Sequence, residues 1–122
     1  MELEKILKEL STRPGMLWVI GGGAAVSENG SEGMKEPAFD GGYATIGGHN
    51  WHFHLKTDSV TGVQFVEAED HGIPFLYYVR FSDGEDTLLR VYFPNPYLDE
   101  NEKPAEFQPD RLEAFEEVRD RY

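Results

Sequence analysis

Apolar residues fall at Leu3, Ile6, Leu7 and Leu10, the i, i+3, i+4, i+7 spacing of a helix with one buried stripe. The Pro14-Gly15 pair ends that helix. The run MLWVI, residues 16–20, then reads as a short buried strand. Residues 21–42 are rich in Gly, Ser, Glu and Lys and read as a loop, with room for a short strand over 24–27. From Tyr43 the pattern turns to β, and 50–57, 62–68, 74–82 and 86–93 each predict a strand. Asp70-His71-Gly72 and Ser82-Asp83-Gly84 supply turn chemistry between them, so the four strands are expected to pair in chain order as an antiparallel meander. PNPYLDENEKPAEFQP is a proline-rich irregular connection. PDRLEAFEEVRDRY closes as a helix, with Pro109 and Asp110 in its first turn and Leu112, Phe115, Val118 and Tyr122 along one side. The predicted class is α+β, a large antiparallel meander flanked by N- and C-terminal helices, in a single domain over residues 1–122.

Charge narrows the function. The formal net charge is −12, and so acidic a surface repels phosphate backbones; nucleic acid is not an expected partner. An anionic small ligand would need a local basic cluster. With no cysteine, disulfides, thiolate metal sites and Cys nucleophiles are excluded. No run approaches the roughly 20 apolar residues of a membrane span, and the N-terminal helix is too acidic for a signal peptide, so a cytoplasmic protein is expected.

Side chains alternate across a strand, so each predicted strand has two faces. Trp51, Phe53 and Leu55 belong with Phe75, Tyr77, Val79 and Phe81, and with Thr87, Leu89, Val91 and Phe93, as core. The opposite set collects His52, His54, Lys56, Val66, Leu76, Tyr78, Arg80, Leu88, Arg90 and Tyr92. It has three cations and almost no acids in an acidic chain. That mixture suits a flat apolar ligand with negative groups at its edge. It also suits a face covered by a second helix layer, with cations reaching the rim.

The histidines cluster in HNWHFH, which holds His49, His52 and His54. Three chemistries compete. His52 and His54 resemble the opening of a cupin-type metal motif, which lacks its later elements here. Acid–base catalysis by His54 with Asp58 or Glu67 has no nucleophile beside it, so no catalytic residue is assigned. Haem needs one axial imidazole, an aromatic wall and cations for the propionates.

The stretch HLKTDSVTGVQFVEAEDHGIPFLYYVRFSDGEDTLLRVYFP, residues 54–94, resembles the C-terminal core of the ChuX/HutX/HemS haem-utilisation family. The shared pattern is a His-hydrophobic-Lys start, an fvE strand end, an aromatic strand, a polar turn, an hLKhfh strand and a terminal helix. GGYATIGGHN resembles the family's glycine-rich approach to that histidine. The resemblance implies an intracellular haem carrier or storage protein, often dimeric. It implies His54 as iron ligand, Lys56 and Arg90 as matching basic positions, and haem as cofactor. Carrier members have a second histidine where VIGGGAA stands here, which leaves three alternatives: His49, His52 or Tyr43 substitutes, the iron is five-coordinate, or the site is lost. Arg80 joins Lys56 and Arg90 as expected propionate contacts, and Tyr78 and Tyr92 as ring contacts. The competing class is a non-enzymatic dimeric interaction module of the same fold, in which the aromatic and arginine face is a subunit interface.

Overall fold

Two antiparallel sheets and two helices enclose one hydrophobic cluster. The structure is a computed structural model and describes residues 2–70 and 73–122. The expected turn at His71-Gly72 lies outside the described residues.

Helix α1 spans Leu3–Thr12 and buries Ile6, Leu7 and Leu10, the stripe that the spacing predicts. Beyond it Gly15 takes a φ of +72°, which a glycine adopts without steric cost. Among the described residues eight strands follow: β1 (Leu17–Ile20), β2 (Ser27–Gly30), β3 (Ala38–Asp40), β4 (Tyr43–Gly47), β5 (His52–Lys56), β6 (Gly62–Asp70), β7 (Ile73–Asp83) and β8 (Asp86–Tyr92). Helix α2 spans Pro109–Arg121, with Pro109 and Asp110 in the first turn and Arg119 and Arg121 in the last, matching the helix dipole. No helix among the described residues is long and apolar enough to cross a membrane.

The larger sheet has the order β2-β1-β8-β7-β6, and β3-β4-β5 form a second sheet. The expected chain-order meander therefore holds for β6, β7 and β8 but not for the histidine strand. Strand β5 pairs with β4 instead, from Tyr43 opposite Lys56 to Gly47 opposite His52. The cause lies in residues 57–61. A 3-10 turn covers Thr57–Ser59, and Thr57 donates to Gly42 O through its backbone N–H (3.0 Å) and its hydroxyl (3.1 Å). Thr61 N–H then bonds Ser82 O at 2.8 Å, so the chain leaves one sheet and enters the other within five residues. Strands β2 and β3 lie in the segment read as loop. They are short and mostly exposed, without the apolar alternation that marks a strand.

Both inner faces feed the same core. Trp18 is fully buried, with ring centres 6.4 Å from Trp51 and 6.3 Å from Phe53, and so joins the two sheets. Phe115 of α2 reaches Tyr77 at 5.2 Å and Phe93 at 5.4 Å. The helices are tied by Arg13, which donates to Glu9 (3.3 Å) and Glu117 (3.2 Å), and by an Arg121–Glu9 pair. The 94–108 connection is irregular but anchored: Arg111 donates to Asn95 O and Leu98 O, both at 3.0 Å, and Gln108 to Leu98 O at 2.6 Å.

Candidate functional site

The outward face of the small sheet carries the histidines. His52, His54 and Lys56 alternate with the inward Phe53 and Leu55 along β5, and all three are exposed. The β4 register sets Thr45 opposite His54 and Tyr43 opposite Lys56. Thr45 Oγ1 lies 2.9 Å from His54 Nδ1. With Nδ1–H donating to that hydroxyl, the lone pair is on Nε2, the arrangement in which a second group orients a ligating imidazole. The His52 and His54 rings stand 5.4 Å apart, centre to centre. A hollow of about 510 Å³ runs from them past Gly47 and Asn50 to His49 and Lys35. Trp51 fixes the strand's entry by donating from Nε1 to Gly30 O at 3.0 Å, which ties the small sheet to β2. Among the described residues no three His, Asp or Glu side chains are grouped to hold a metal ion, so the multi-ligand centre of a cupin is not assembled.

The other expected site residues lie elsewhere. Tyr78, Arg80, Arg90 and Tyr92 sit on the outward face of the large sheet, whose inward face holds Tyr77, Val79, Phe81, Leu89 and Val91. The single face built from alternation is thus two faces on two sheets, both turned away from the shared core, because β5 does not pair with β6. Register corrects a further detail. Phe81 pairs with Leu89 but Ser82 with Thr87, so Leu88 is the extra residue of a bulge. Leu88 packs against the core, while Thr87, expected inside, accepts a hydrogen bond from Arg80 Nε at 2.7 Å on the outer face.

Arg80 is occupied within the chain. Besides Thr87 it donates to Gln64 Oε1 at 2.9 Å and to Glu85 O at 2.8 Å. Arg90 is less engaged: it donates to Tyr92 Oη at 3.2 Å, and its buried Nε has no partner among the described residues. Tyr78 and Tyr92 pack with ring centres 4.7 Å apart. Burial pushes the Tyr92 hydroxyl pKa upward, and the neighbouring Arg90 opposes that shift. A groove of about 680 Å³ lies beside Arg90 and Tyr92, lined by Leu17, Val19 and Leu76 and by residues of the 94–102 connection.

Sequence reasoning missed Thr45, Lys35 and the division of the faces. Thr45 was accessible in principle, since alternation through Tyr43–Gly47 puts Tyr43 and Thr45 on one side; its pairing with His54 needed the register. Lys35 carried no signal, because it reaches the hollow from an irregular segment.

The antiparallel sheet with an N-terminal and a C-terminal helix is the fold of ChuX. A family model matches the chain over residues 4–117, and the chain belongs to a ChuX-like family. The structure of ChuX, also described as a haem-binding protein, superposes with a TM-score of 0.73 at 15% identity, covering 96% of this chain and 69% of that one. A protein from Agrobacterium tumefaciens gives 0.70 at 22% identity, covering 97% and 63%. Holo-PhuS, a haem-binding protein from Pseudomonas aeruginosa, gives 0.65 at 14% identity, covering 94% and 32%. The chain thus spans about two thirds of the first relatives and about a third of PhuS. No curated protein matches it by sequence.

Proposed function

We propose that this chain, acting as one unit over residues 1–122, handles haem as a carrier or store, with His54 as the axial ligand. The observation that supports the reading is the His54–Thr45 pair on an exposed strand, which engages Nδ1 and leaves Nε2 as the nitrogen available to a ligand. The surroundings fit a flat anionic group. Gly47 and Ala38 leave the strand surface low, and Lys56 on the same face and Lys35 at the hollow's rim offer ammonium groups to carboxylates. Tyr43 and His49 are the candidates for a second axial position, one on the strand face and one at the loop end. His52 stands beside His54 as a ring contact. Iron-bound haem would supply any redox chemistry; the residues of the chain bind and orient.

A second reading follows from the groove on the large sheet. Arg90, whose Nε has no partner among the described residues, and the packed Tyr78–Tyr92 pair suit the same ligand class, against the carboxylates Glu28, Asp99, Glu100 and Glu102 in the groove lining; Arg80 serves there as a strut. That face also suits a second copy of the chain, as expected of a dimeric interaction module. Titration with hemin, followed at the Soret band, separates the readings. Uptake of one haem per chain that is lost in His54→Ala and kept in Arg90→Ala supports the histidine face. The reverse pattern moves the site to the groove. No saturable change in any variant, with a dimer by light scattering, leaves the interaction module.

A further inference from the structure

His52 and His54 occupy positions i and i+2 of one strand, so both imidazoles leave the same face. Their ring centres are 5.4 Å apart and their planes cross at 74°. Two imidazoles that share one tetrahedral ion have a defined spacing: with about 2.1 Å from nitrogen to metal and about 1.1 Å from nitrogen to ring centre, their centres lie about 5.2 Å apart. The observed spacing is close to that value, with both rings on one face of the strand. Thr45 already holds one of the two rings by its Nδ1, as the outer partner of a metal-bound histidine does. Gly47, directly across from His52, keeps the strand surface clear: a Cβ there would lie 2.7 Å from the His52 Cβ.

We infer that His52 and His54 form a two-histidine chelate for a divalent transition-metal ion of the zinc and nickel class. Two protein nitrogens leave two positions of a tetrahedral ion open to water or to a small exogenous ligand. Imidazole donors with open positions suit zinc, nickel and copper rather than calcium or magnesium, which take oxygen ligands. This inference does not rest on the haem reading, although one imidazole is common to both. The shared nitrogen makes the two ligands mutually exclusive at His54.

The test is isothermal titration of the haem-free, metal-stripped full chain with ZnCl2, repeated with NiCl2. The expected result is saturation at one ion per chain, weakened at least tenfold by His52→Gln and by His54→Gln. Thr45→Val should weaken it about tenfold through loss of the orienting bond. Glu113→Gln, exposed on α2 and outside the hollow, should leave it unchanged. All four positions are at or near the surface, and circular dichroism confirms that each variant folds. Absence of saturable binding overturns the chelate, and so does binding that survives the His52→Gln/His54→Gln double variant. Because these titrations contain no haem, zinc binding with no hemin uptake refutes only the haem reading, and hemin uptake with no zinc binding refutes only the chelate. If both occur, zinc-loaded protein should lose its His54-dependent Soret shift.

Discussion

Trp18 is the residue whose replacement most directly probes how the two sheets are held together. It is fully buried, meets Trp51 just before β5 and Phe53 within it, and carries an indole N–H with no partner among the described residues. Trp18→Ala removes the whole ring from the joint and should cost about 3–5 kcal/mol, a large share of the roughly 5–15 kcal/mol that stabilises a domain. At a urea m-value of about 2 kcal/mol per molar, the midpoint falls by about 2 M. Trp18→Phe behaves differently. It loses part of the ring's packing, about 2 kcal/mol, but removes an unsatisfied buried donor whose desolvation costs about 1–3 kcal/mol. The net change should lie within about 1 kcal/mol. The assay is urea unfolding followed by far-UV circular dichroism. Because the chain has 2 Trp, Trp51 is then the only indole left in either variant and reports on the small sheet by fluorescence. Equal, large losses for Ala and Phe would refute the orphan N–H argument. A loss below about 1.5 kcal/mol for Trp18→Ala would refute the role of Trp18 as the joint.

Arg80→Met removes the donor to Thr87 and Glu85 O and one of two donors to Gln64 Oε1, and should cost about 2–3 kcal/mol in chemical unfolding, with hemin uptake retained; a change under about 0.5 kcal/mol (the scatter of surface substitutions) contradicts its role as a strut. Burial first, and then the charge of Glu67, push the Tyr77 hydroxyl to about 12. The unfolded phenol ionises near 10, so the stabilisation is whole below that pH and is lost as pH rises from about 10 through 12, up to roughly 3 kcal/mol. Tyr77→Phe should abolish that part of the alkaline loss, and identical pH profiles for the two proteins would contradict it. Gly33 sits at φ +68° with the His49 ring against the place of a Cβ, so Gly33→Ala should lower the thermal midpoint by several degrees; an unchanged midpoint means the 31–34 segment yields freely.

The two helices were legible because their signals are local: the stripe in α1, and Pro109 with Phe115 and Val118 in α2. Alternation identified the inward residues of β7 and most of β8 for the same reason. What it could not supply was partner choice. The period of two gives each strand two faces but does not say which strand lies alongside, and the turn at Thr57–Ser59 sends β5 to β4 rather than to β6. The ten-residue face assembled from the sequence was therefore a sum over two sheets. Thr87 and Leu88 exchanged sides because a bulge adds one residue to a count that assumes none. His54 remained a distinctive side chain in both readings, since its exposure depends only on the alternation within its own strand.

Ligation by His54 is the central claim, and cavity rescue tests it most directly. His54→Ala protein is mixed with hemin in the presence and absence of free imidazole, and the Soret band is compared with that of wild type. The expected result is no saturable Soret shift in the variant alone, a band restored toward the wild-type position by imidazole, and a wild-type band in Arg90→Ala with or without imidazole. A wild-type band in His54→Ala without imidazole would contradict it, because the iron would then be held by another residue.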